Sequence, residues 1–371
     1  MKPSIVLLSS LPRLRENIKT DKSNTIWIVL KAVMKTKPLP GVEVMEIPRP
    51  TPAPDEALIK VRSAAICGSD LGIYHYTPAY SKMKLPVVMG HEFSGEIIET
   101  GSKVKGYTVG DRVLSESVKA CGVCEFCKTG MSNLCDESTL FGIHTDGGFA
   151  EYITVPYKLL HRIPENMSYD QAALVEPLSN TVHFVNDITK FKAGDYVVVQ
   201  GCGPIGLFSA QLFKLGGAKV LVTGLSIDKL RFEIAEKLGL DTLNIEEDSL
   251  VERVMQDTGG RGADVAFVAV GAPPAVKQAT RVIKKRGIIT VVGIFGKEVP
   301  VDMTWLVRRE LKIHGAYDAQ PKNFPQSIER ISQGKIDVDS VLTHHFSLDE
   351  AEEAFKVAIE KTGGKVVFNP N

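Results

Sequence analysis

Four cysteines that lie close together in the chain are the residues best suited to binding a metal ion. Their spacing is C-x2-C-x2-C-x7-C, at Cys121, Cys124, Cys127 and Cys135. Four thiolates so close in sequence can surround one tetrahedral metal ion, and zinc is the usual choice. The segment is rich in glycine and polar residues, so it cannot bury a core of its own, and a closed structural zinc site would supply that stability. The alternative is two disulfides, which would suit an exported protein.

A glycine-rich loop is the second chemical motif. It reads Gly201-Cys-Gly-Pro-Ile-Gly206, follows a valine-rich run and precedes a helical stretch at 207–215. That context is the one in which G-x-G-x-x-G binds a dinucleotide, with the pyrophosphate at the helix N-terminus. We expect Gly201 to permit the tight turn, Gly203 to admit the pyrophosphate and Gly206 to allow close packing of helix on strand. The predicted cofactor-binding positions of the loop are Gly201, Gly203, Pro204, Ile205 and Gly206.

The next strand ends without the acid that usually selects NAD. Such sites carry Asp or Glu about 20 residues after the loop, on the ribose 2′-hydroxyl, whereas this chain has Gly224. Ser226, Lys229 and Arg231 follow and could hold a 2′-phosphate, which favours NADP, or the use of both cofactors. Against this, a missing acid does not itself build a phosphate site, and cations on a helix usually lie on a solvated face. Nearby Asp228 is explained by helix capping.

The bulk properties indicate an ordinary globular enzyme of about two domains. The chain has 371 residues, is 44% hydrophobic and 24% charged, and carries zero formal net charge from 44 basic and 44 acidic residues. Without a basic bias, nucleic acid is not expected as a partner. No apolar run approaches the roughly 20 residues of a membrane span, so no membrane association is expected. Two further cysteines, Cys67 and Cys202, stand apart from the cluster, and Cys202 is interpreted as a bystander. Clustered thiols in such a chain favour metal chemistry in a reducing cytoplasm.

The elements around these motifs fall into two patterns. From 32 to about 164, short runs of β character are broken by Gly and Pro, as at 57–62, 95–99 and 149–155, which predicts a mostly β, barrel-like unit. Near Ser168 a capped helix is expected. From 195 onwards, continuous Val/Ile runs alternate with helical stretches, which is typical of a doubly wound parallel sheet covered on both faces.

These patterns predict the domain organisation. Residues 185–316 are expected to form the dinucleotide-binding Rossmann domain, and 25–184 together with 317–371 the catalytic domain. Residues 1–24 are interpreted as a poorly packed extension. The apolar run Ile5 to Leu8 is too short for a secretory signal. Glu16 and Asp21 disfavour a mitochondrial presequence.

Three further elements carry potential metal ligands. Cys67 lies in I-C-G-S-D, His91 and Glu92 lie in G-H-E-F-S-G, and Glu176 lies in V-E-P-L-S. Each alone could be a buried thiol, a core histidine or a helix carboxylate. Together with the four-cysteine segment and the glycine loop, they resemble the zinc-containing medium-chain alcohol dehydrogenase family over about residues 31–371. Glu176 in V-E-P makes the chain most similar to the polyol (sorbitol-type) and threonine dehydrogenase branch.

The resemblance implies a GroES-like catalytic barrel, two zinc ions per chain and a catalytic site. It implies that Cys67, His91 and Glu176 hold the catalytic zinc, with Glu92 as a neighbouring or exchanging ligand. Three protein ligands leave one position for water or a substrate hydroxyl.

The resemblance also implies that Ser69 accepts the alcohol proton. A histidine often lies five positions after the cysteine in this branch, but this chain has Gly72 there. His75 could substitute, although an exposed loop histidine is the simpler interpretation. The next step of the proton relay therefore has no residue assigned to it.

Three functions follow from the sequence as hypotheses. The first is a zinc- and NAD(P)-dependent dehydrogenase acting on a secondary alcohol such as a polyol, sugar or hydroxy amino acid. The second is a zinc-free enone or quinone reductase of the same fold, against which the metal-ligand residues argue. The third is a cofactor-binding structural or sensor protein without turnover, against which Ser69 argues. A homodimer or homotetramer is expected, as is usual in the families that it resembles.

Overall fold

The structure, a computed structural model, describes residues 18–20 and 26–370, with side chains described from Val29 onwards. Most of the predicted extension at 1–24 therefore lies outside the described residues. Its described part, Ile18–Thr20, forms a strand that pairs antiparallel with the next strand. Within the described residues, no helix has both the length and the apolar character needed to cross a bilayer.

Nineteen strands form the sheets of the described chain. They are β1 (Ile18–Thr20), β2 (Ile26–Lys35), β3 (Glu43–Pro48), β4 (Glu56–Ala65), β5 (Val87–Val88), β6 (Glu92–Thr100), β7 (Arg112–Ser115), β8 (Val118–Lys119), β9 (Thr139–Leu140), β10 (Tyr152–Pro156), β11 (Leu160–Arg162), β12 (Tyr196–Gln200), β13 (Lys219–Gly224), β14 (Asp241–Asn244), β15 (Ala263–Val268), β16 (Ile283–Val291), β17 (Lys312–Gly315), β18 (Leu342–Phe346) and β19 (Lys365–Phe368).

Eleven α-helices accompany these strands in the described residues. They are α1 (Gly68–Tyr74), α2 (Glu125–Lys128), α3 (Tyr169–Ala173), α4 (Val175–Val182), α5 (Pro204–Leu215), α6 (Lys229–Lys237), α7 (Leu250–Asp257), α8 (Pro273–Val282), α9 (Met303–Arg308), α10 (Asn323–Ser332) and α11 (Ala351–Ile359).

The β-rich unit is built on a sheet of seven strands. Its order is β11-β7-β6-β4-β19-β18, with β10 also paired to β4, and a four-stranded sheet of β1, β2, β3 and β5 accompanies it. Its core is aromatic, with Phe93, Phe149, Phe355 and Phe368 almost fully buried. Because β19 pairs with β4 and β18 pairs with β19, the tail returns to the first sheet, as the sequence indicates.

The second unit is a parallel sheet of six strands in the order β14-β13-β12-β15-β16-β17. Every residue of β12 and β15 is buried, as expected for strands covered on both faces. One face packs against α5 through Phe208 and Phe213, in a core that also contains Leu178 of α4. The expected doubly wound fold is therefore present.

Local capping signals are also confirmed. The Ser168 hydroxyl accepts a hydrogen bond from the Gln171 backbone N–H at 3.0 Å, and Gln171 bonds back to the Ser168 N–H, which starts α3. Strand β18 was not predicted, because its sequence, Leu-Thr-His-His-Phe, has three polar residues in its middle. Its pairing to β19 places it in the sheet.

Candidate active site and cofactor site

Strand register brings the first set of predicted ligands together. Cys67 lies just after β4 and caps the N-terminus of α1, while His91 and Glu92 lie at the start of β6. Strands β4 and β6 are antiparallel neighbours, with Ala65 opposite Glu92. As a result, ligand atoms of Cys67, His91 and Glu92 all lie within 4.8 Å of one another. Thiolate, imidazole and carboxylate are all zinc ligands, so this donor set fits the metal that the sequence predicts.

Asp70 lies beside the histidine of this group, at a position for which the sequence predicts no role. Its buried carboxylate accepts the Cys67 N–H at 2.9 Å and lies 3.8 Å from His91 Nδ1. The other imidazole nitrogen, Nε2, is 3.3 Å from the Ser69 hydroxyl. A carboxylate beside one nitrogen is the usual arrangement that directs the second nitrogen to a metal. Asp70 lies in the sequence motif C-G-S-D, three residues after Cys67. An acid this close to a predicted metal ligand is the signal from which its role could have been predicted.

The electrostatics of the group are those of a cation site. Burial opposes protonation of His91, but the charges of Asp70 and Cys67 outweigh it and raise the pKa of His91 well above its usual value. Burial and the charge of Glu176 raise the pKa of Glu92 to about 7, against the opposing effect of Lys365. One oxygen of Glu92, Oε1, has no hydrogen-bond partner among the described residues. A bound cation would relieve this crowding of buried acceptors.

Glu176 lies beside the cluster of Cys67, His91 and Glu92. It occupies the first turn of α4, is 4% exposed, and its carboxylate oxygens lie 3.3–3.4 Å from the Asn180 side-chain amide. It is close enough for its charge to raise the pKa of Glu92. The structure therefore places Glu92 within the group of Cys67 and His91, and Glu176 next to that group. The family resemblance instead implies that Glu176 is the zinc ligand and Glu92 the neighbouring or exchanging one.

Asp318 is a second acid near the cluster that the sequence analysis missed. It follows β17 with a φ of +54°, and its Oδ1 accepts the adjacent Ala319 N–H at 2.7 Å. Burial, and then the charge of Glu176, raise the pKa of Asp318 to about 7. No motif surrounds it in the sequence, because only the packing of the two units brings it to the site.

Tyr80 occupies the space that Gly72 leaves open. A Cβ atom on Gly72 would lie 2.5 Å from Cε2 of the Tyr80 ring, so no larger residue fits there without moving the ring. Burial next to Cys67 and Asp70 raises the pKa of Tyr80 well above its usual value, and a hydrogen bond with Ser69 acts in the opposite direction. His75, by contrast, is exposed at the end of α1, in agreement with the simpler interpretation.

The four clustered cysteines form a separate lobe. Their sulfur atoms lie within 4.8 Å of one another, and all six cysteines of the chain are free. The Sγ atoms of Cys121 and Cys127 are 3.9 Å apart, far beyond the roughly 2 Å of a disulfide bond. The disulfide alternative is therefore not supported.

Backbone amides in the lobe point at the sulfur atoms. Cys121 Sγ accepts the N–H groups of Val123 at 3.5 Å and Cys124 at 3.4 Å, which lower the pKa of that thiol. Burial and Cys124 raise the pKa of Cys127. Four thiolates cannot ionise together at this distance without a cation, so the lobe fits a closed zinc site. Asn133 in the lobe donates a hydrogen bond to the Tyr317 carbonyl at 2.8 Å, next to Asp318.

The glycine loop has the geometry of a pyrophosphate site. It connects β12 to α5, and Gly201 has a φ of +106°, which favours glycine. A Cβ on Gly206 would lie 1.8 Å from the Gly201 carbonyl oxygen, so the helix approaches the strand end closely. Gly203 faces open space, and Pro204 and Ile205 begin the helix. The unpaired amides of the first turn are donors for phosphate oxygens.

The three residues predicted to bind a 2′-phosphate differ in their exposure to solvent. Ser226 and Lys229 are exposed after β13. Arg231 is 8% exposed, and its guanidinium donates to Asp228 at 3.2 Å and to the Gly363 carbonyl at 2.9 Å. Because both of these partners are protein groups, Arg231 is unsuited to the phosphate role suggested by the sequence. The Asp228 carboxylate accepts the Leu225 N–H, in agreement with the capping interpretation.

Comparisons with known proteins identify the family of the chain. Residues 53–165 match the alcohol dehydrogenase GroES-like domain, and residues 204–333 match the zinc-binding dehydrogenase domain. Sorbitol dehydrogenase from Halalkalibacterium halodurans is 36% identical over 92% of this chain and 99% of its own length. L-Threonine 3-dehydrogenase from Pyrococcus furiosus is 36% identical over 91% of this chain and 97% of its own length.

Solved structures give the same result. A zinc-binding dehydrogenase from Sinorhizobium meliloti 1021 bound to NADP superimposes with a TM-score of 0.84 at 31% identity, over 92% of this chain and 99% of its own. The chain belongs to the zinc-containing medium-chain alcohol dehydrogenases, in the polyol and threonine dehydrogenase branch. It is an NAD(P)-linked oxidoreductase of alcohols.

Proposed function

We propose that the chain oxidises a secondary alcohol that carries further polar groups, such as a polyol, a sugar or a hydroxy amino acid, with NAD(P) as hydride acceptor. The observation that carries this proposal is the convergence of Cys67, His91 and Glu92, with Glu176 alongside. The sorbitol and threonine dehydrogenases to which the chain is similar support the same substrate class.

The roles of the residues follow from their positions. Cys67 and His91 would hold the zinc together with Glu176, Glu92 or both in turn. When bound, zinc would lower the pKa of the substrate hydroxyl and NAD(P) would take up hydride. The Asp70 carboxylate, 3.8 Å from Nδ1, would favour presentation of His91 Nε2 to the metal, and the Ser69 hydroxyl would accept the substrate proton at its Oγ.

The second zinc belongs to the lobe of four cysteines, which gives two ions per chain. With four protein ligands this site has no open position, so its role is structural. The sequence-based prediction of NADP, or of both cofactors, depends on Gly224, Ser226 and Lys229, since Arg231 is paired within the protein. We also propose the cytoplasm as the location, because thiolates in a zinc site need a reducing compartment.

We also propose that the chain forms an oligomer through β17, which forms one end of the parallel sheet. Large apolar side chains are exposed near it, at Ile294, Val307 and Ile313. Pairing of this edge with a second copy would cover them. A homodimer, or a homotetramer built from it, is therefore proposed. Light scattering of the wild type and of Ile313→Lys tests it, and a wild-type monomer would exclude it.

A substrate screen with metal analysis tests the proposed function. Oxidation of polyols, sugars and L-threonine is measured with NAD and with NADP, and zinc is measured on the same preparation. We expect about two zinc per chain and turnover of at least one of these substrate classes. In Cys67→Ser, the zinc content should fall and the turnover should be lost. Enone reduction with one zinc or none would instead indicate the reductase. Two zinc with bound cofactor but no turnover on any alcohol would indicate a sensor.

A further inference from the structure

Packing explains the absence of an acid at Gly224. This residue ends β13 and is buried. A Cβ built on it would lie 2.7 Å from the Cys202 sulfur and 2.9 Å from Cζ of Phe232. Cys202 lies in the glycine loop and is 1% exposed, so its thiol fills the space from which an aspartate side chain would start. The Cys202 thiol, interpreted from sequence as a bystander, and the Phe232 ring would therefore have to shift to admit an acid at this position.

A carboxylate reaches the same place from the neighbouring strand. Strands β13 and β14 are parallel, with Gly224 opposite Asn244, so their carboxyl ends lie side by side. Glu246 follows β14, and its Oε2 accepts the backbone N–H of Ser226 at 2.8 Å. This amide is two residues beyond Gly224, at the strand end where the adenosine ribose lies in a Rossmann fold.

A small network fixes the position of this carboxylate. The Asn244 side chain donates to the Ser226 hydroxyl at 2.9 Å, and its own oxygen accepts the Glu246 N–H at 3.1 Å. The hydrogen bonds from Ser226 lower the pKa of Glu246, so the group is ionised at neutral pH. The network thus holds a negative charge on the strand-end loop that would have to admit a 2′-phosphate.

Neither of the two cations that the sequence suggests for a 2′-phosphate offsets this negative charge by much. Arg231 is neutralised by Asp228, with which it forms a buried ion pair at 3.2 Å. Lys229, at the start of α6, is exposed to solvent, where a single charge is well screened. A 2′-phosphate at this position would meet the Glu246 carboxylate, and the Ser226 N–H, which could otherwise donate to the phosphate, already donates to Glu246.

We propose that Glu246 is the residue that determines cofactor choice, by accepting the ribose 2′-hydroxyl of NAD and excluding the 2′-phosphate of NADP. This inference rests on the proposed function, because it assumes that the glycine loop binds a dinucleotide. It reverses the preference for NADP that the sequence suggests.

Direct binding tests the proposal without catalysis. Titration calorimetry with NADH and with NADPH gives two dissociation constants for wild type, Glu246→Gln and the control Glu247→Gln. Glu247 is an exposed neighbour whose change removes the same charge from the same loop. We expect wild type and Glu247→Gln to favour NADH at least tenfold, which is about 1.4 kcal/mol. In Glu246→Gln, which keeps an oxygen acceptor for the Ser226 amide, this preference should fall about tenfold or more, with a matching change in the kcat/KM ratio.

Three results would overturn the proposal. They are a wild-type preference for NADPH, an unchanged ratio in Glu246→Gln, and an equal change in Glu247→Gln. Binding of neither dinucleotide by any variant would instead refute the proposed function, together with the inference built on it.

Discussion

The ammonium group of Lys365 contacts the carboxylate of Glu92 in an ion pair closed to solvent, with side chains 3% and 0% exposed. Lys365 begins β19, the last strand, and also donates to the Ile66 carbonyl at 2.8 Å, next to Cys67. The end of the chain thereby compensates the buried charge of a potential metal ligand near its beginning. No sequence motif marks this lysine.

Removing Lys365 should destabilise the protein strongly. A Lys365→Met variant leaves the Glu92 carboxylate buried without its cation, and loss of one partner of a buried pair costs about 3–5 kcal/mol. Urea unfolding at neutral pH measures the loss. The control is Lys356→Met, whose ion pair with Glu353 is more than half exposed on both sides and should change stability by less than about 1 kcal/mol. Equal effects of the two substitutions would contradict the role of the buried pair.

Cys124→Ser should remove the metal of the lobe and leave the catalytic metal in place. We expect zinc content to fall from about two to about one per chain, with a lower melting temperature and a smaller effect on turnover by the protein that remains folded. Metal analysis and thermal unfolding test this. Cys202→Ser, which changes a buried thiol outside both clusters, should keep both ions. Retention of two zinc ions by Cys124→Ser would show that the lobe is not a metal site.

Glu176→Ala should abolish turnover while the protein stays largely folded. The carboxylate lies in the first turn of α4 next to Cys67, His91 and Glu92, and its loss removes either a ligand or the charge that balances one. Turnover, zinc content and circular dichroism are compared with those of Glu165→Ala, an exposed carboxylate outside the site. Near-normal kcat and metal content in Glu176→Ala would mean that Glu92 alone supplies the carboxylate ligand.

Ser69→Ala should slow the reaction and change its pH dependence. The Ser69 hydroxyl lies 3.3 Å from His91 Nε2, the nitrogen that would hold the metal, so it is placed to accept the proton of an alcohol bound there. Loss of such a group typically costs about 10²–10⁴ in rate. Ser81→Ala, on the adjacent loop, is the control. If the pH–rate profile of Ser69→Ala equals that of wild type, Ser69 carries no proton.

Asp264 should make the parallel sheet sensitive to acid. Burial opposes its ionisation, but hydrogen bonds from Arg261, Lys284 and the Tyr196 N–H outweigh this and hold the pKa of Asp264 well below its usual value. A depressed pKa stabilises the fold above the unfolded-state pKa of about 3.9, and this stabilisation is lost as pH falls below it. Asp264→Asn should therefore be less stable than wild type at pH 7, with a difference that shrinks towards pH 3.

Urea midpoints between pH 7 and pH 3 measure this effect. Asp241→Asn, an exposed aspartate on β14, should follow the wild-type curve. A constant difference between wild type and Asp264→Asn over this range would contradict the pKa direction.

The features that the sequence predicted best are those set by local spacing. The four cysteines and the glycine loop each form their site within a single segment, so their geometry follows from the order of residues. The continuous Val runs of β12 and β15 likewise specify a buried parallel sheet. Cys67 and His91 were assigned by family resemblance, and the antiparallel register of β4 and β6 supplies the physical reason for their proximity.

The features that the sequence missed depend on packing between distant segments. Asp318 and Lys365 reach the site only because two units and a returning strand meet there. The partners of Arg231 are a residue one turn earlier and the Gly363 carbonyl near the C-terminus, so its apparent availability for phosphate was misleading. The glycine at position 224 was interpreted as a sign of NADP use, whereas the structure shows that the Cys202 sulfur leaves little room for a side chain there.

The return of β19 to β4 also has a consequence for the order of events during synthesis. Domains generally begin to fold from the N-terminus while the ribosome is still working, but Val367 pairs with Ala65 and Ile66 donates to Val366. The pocket of Cys67 and Glu92 therefore stays incomplete until β19 has left the ribosome. We therefore expect loading of a metal there to follow the synthesis of β19, and a nascent chain stalled before Lys365 would present a half-built pocket to competing ions.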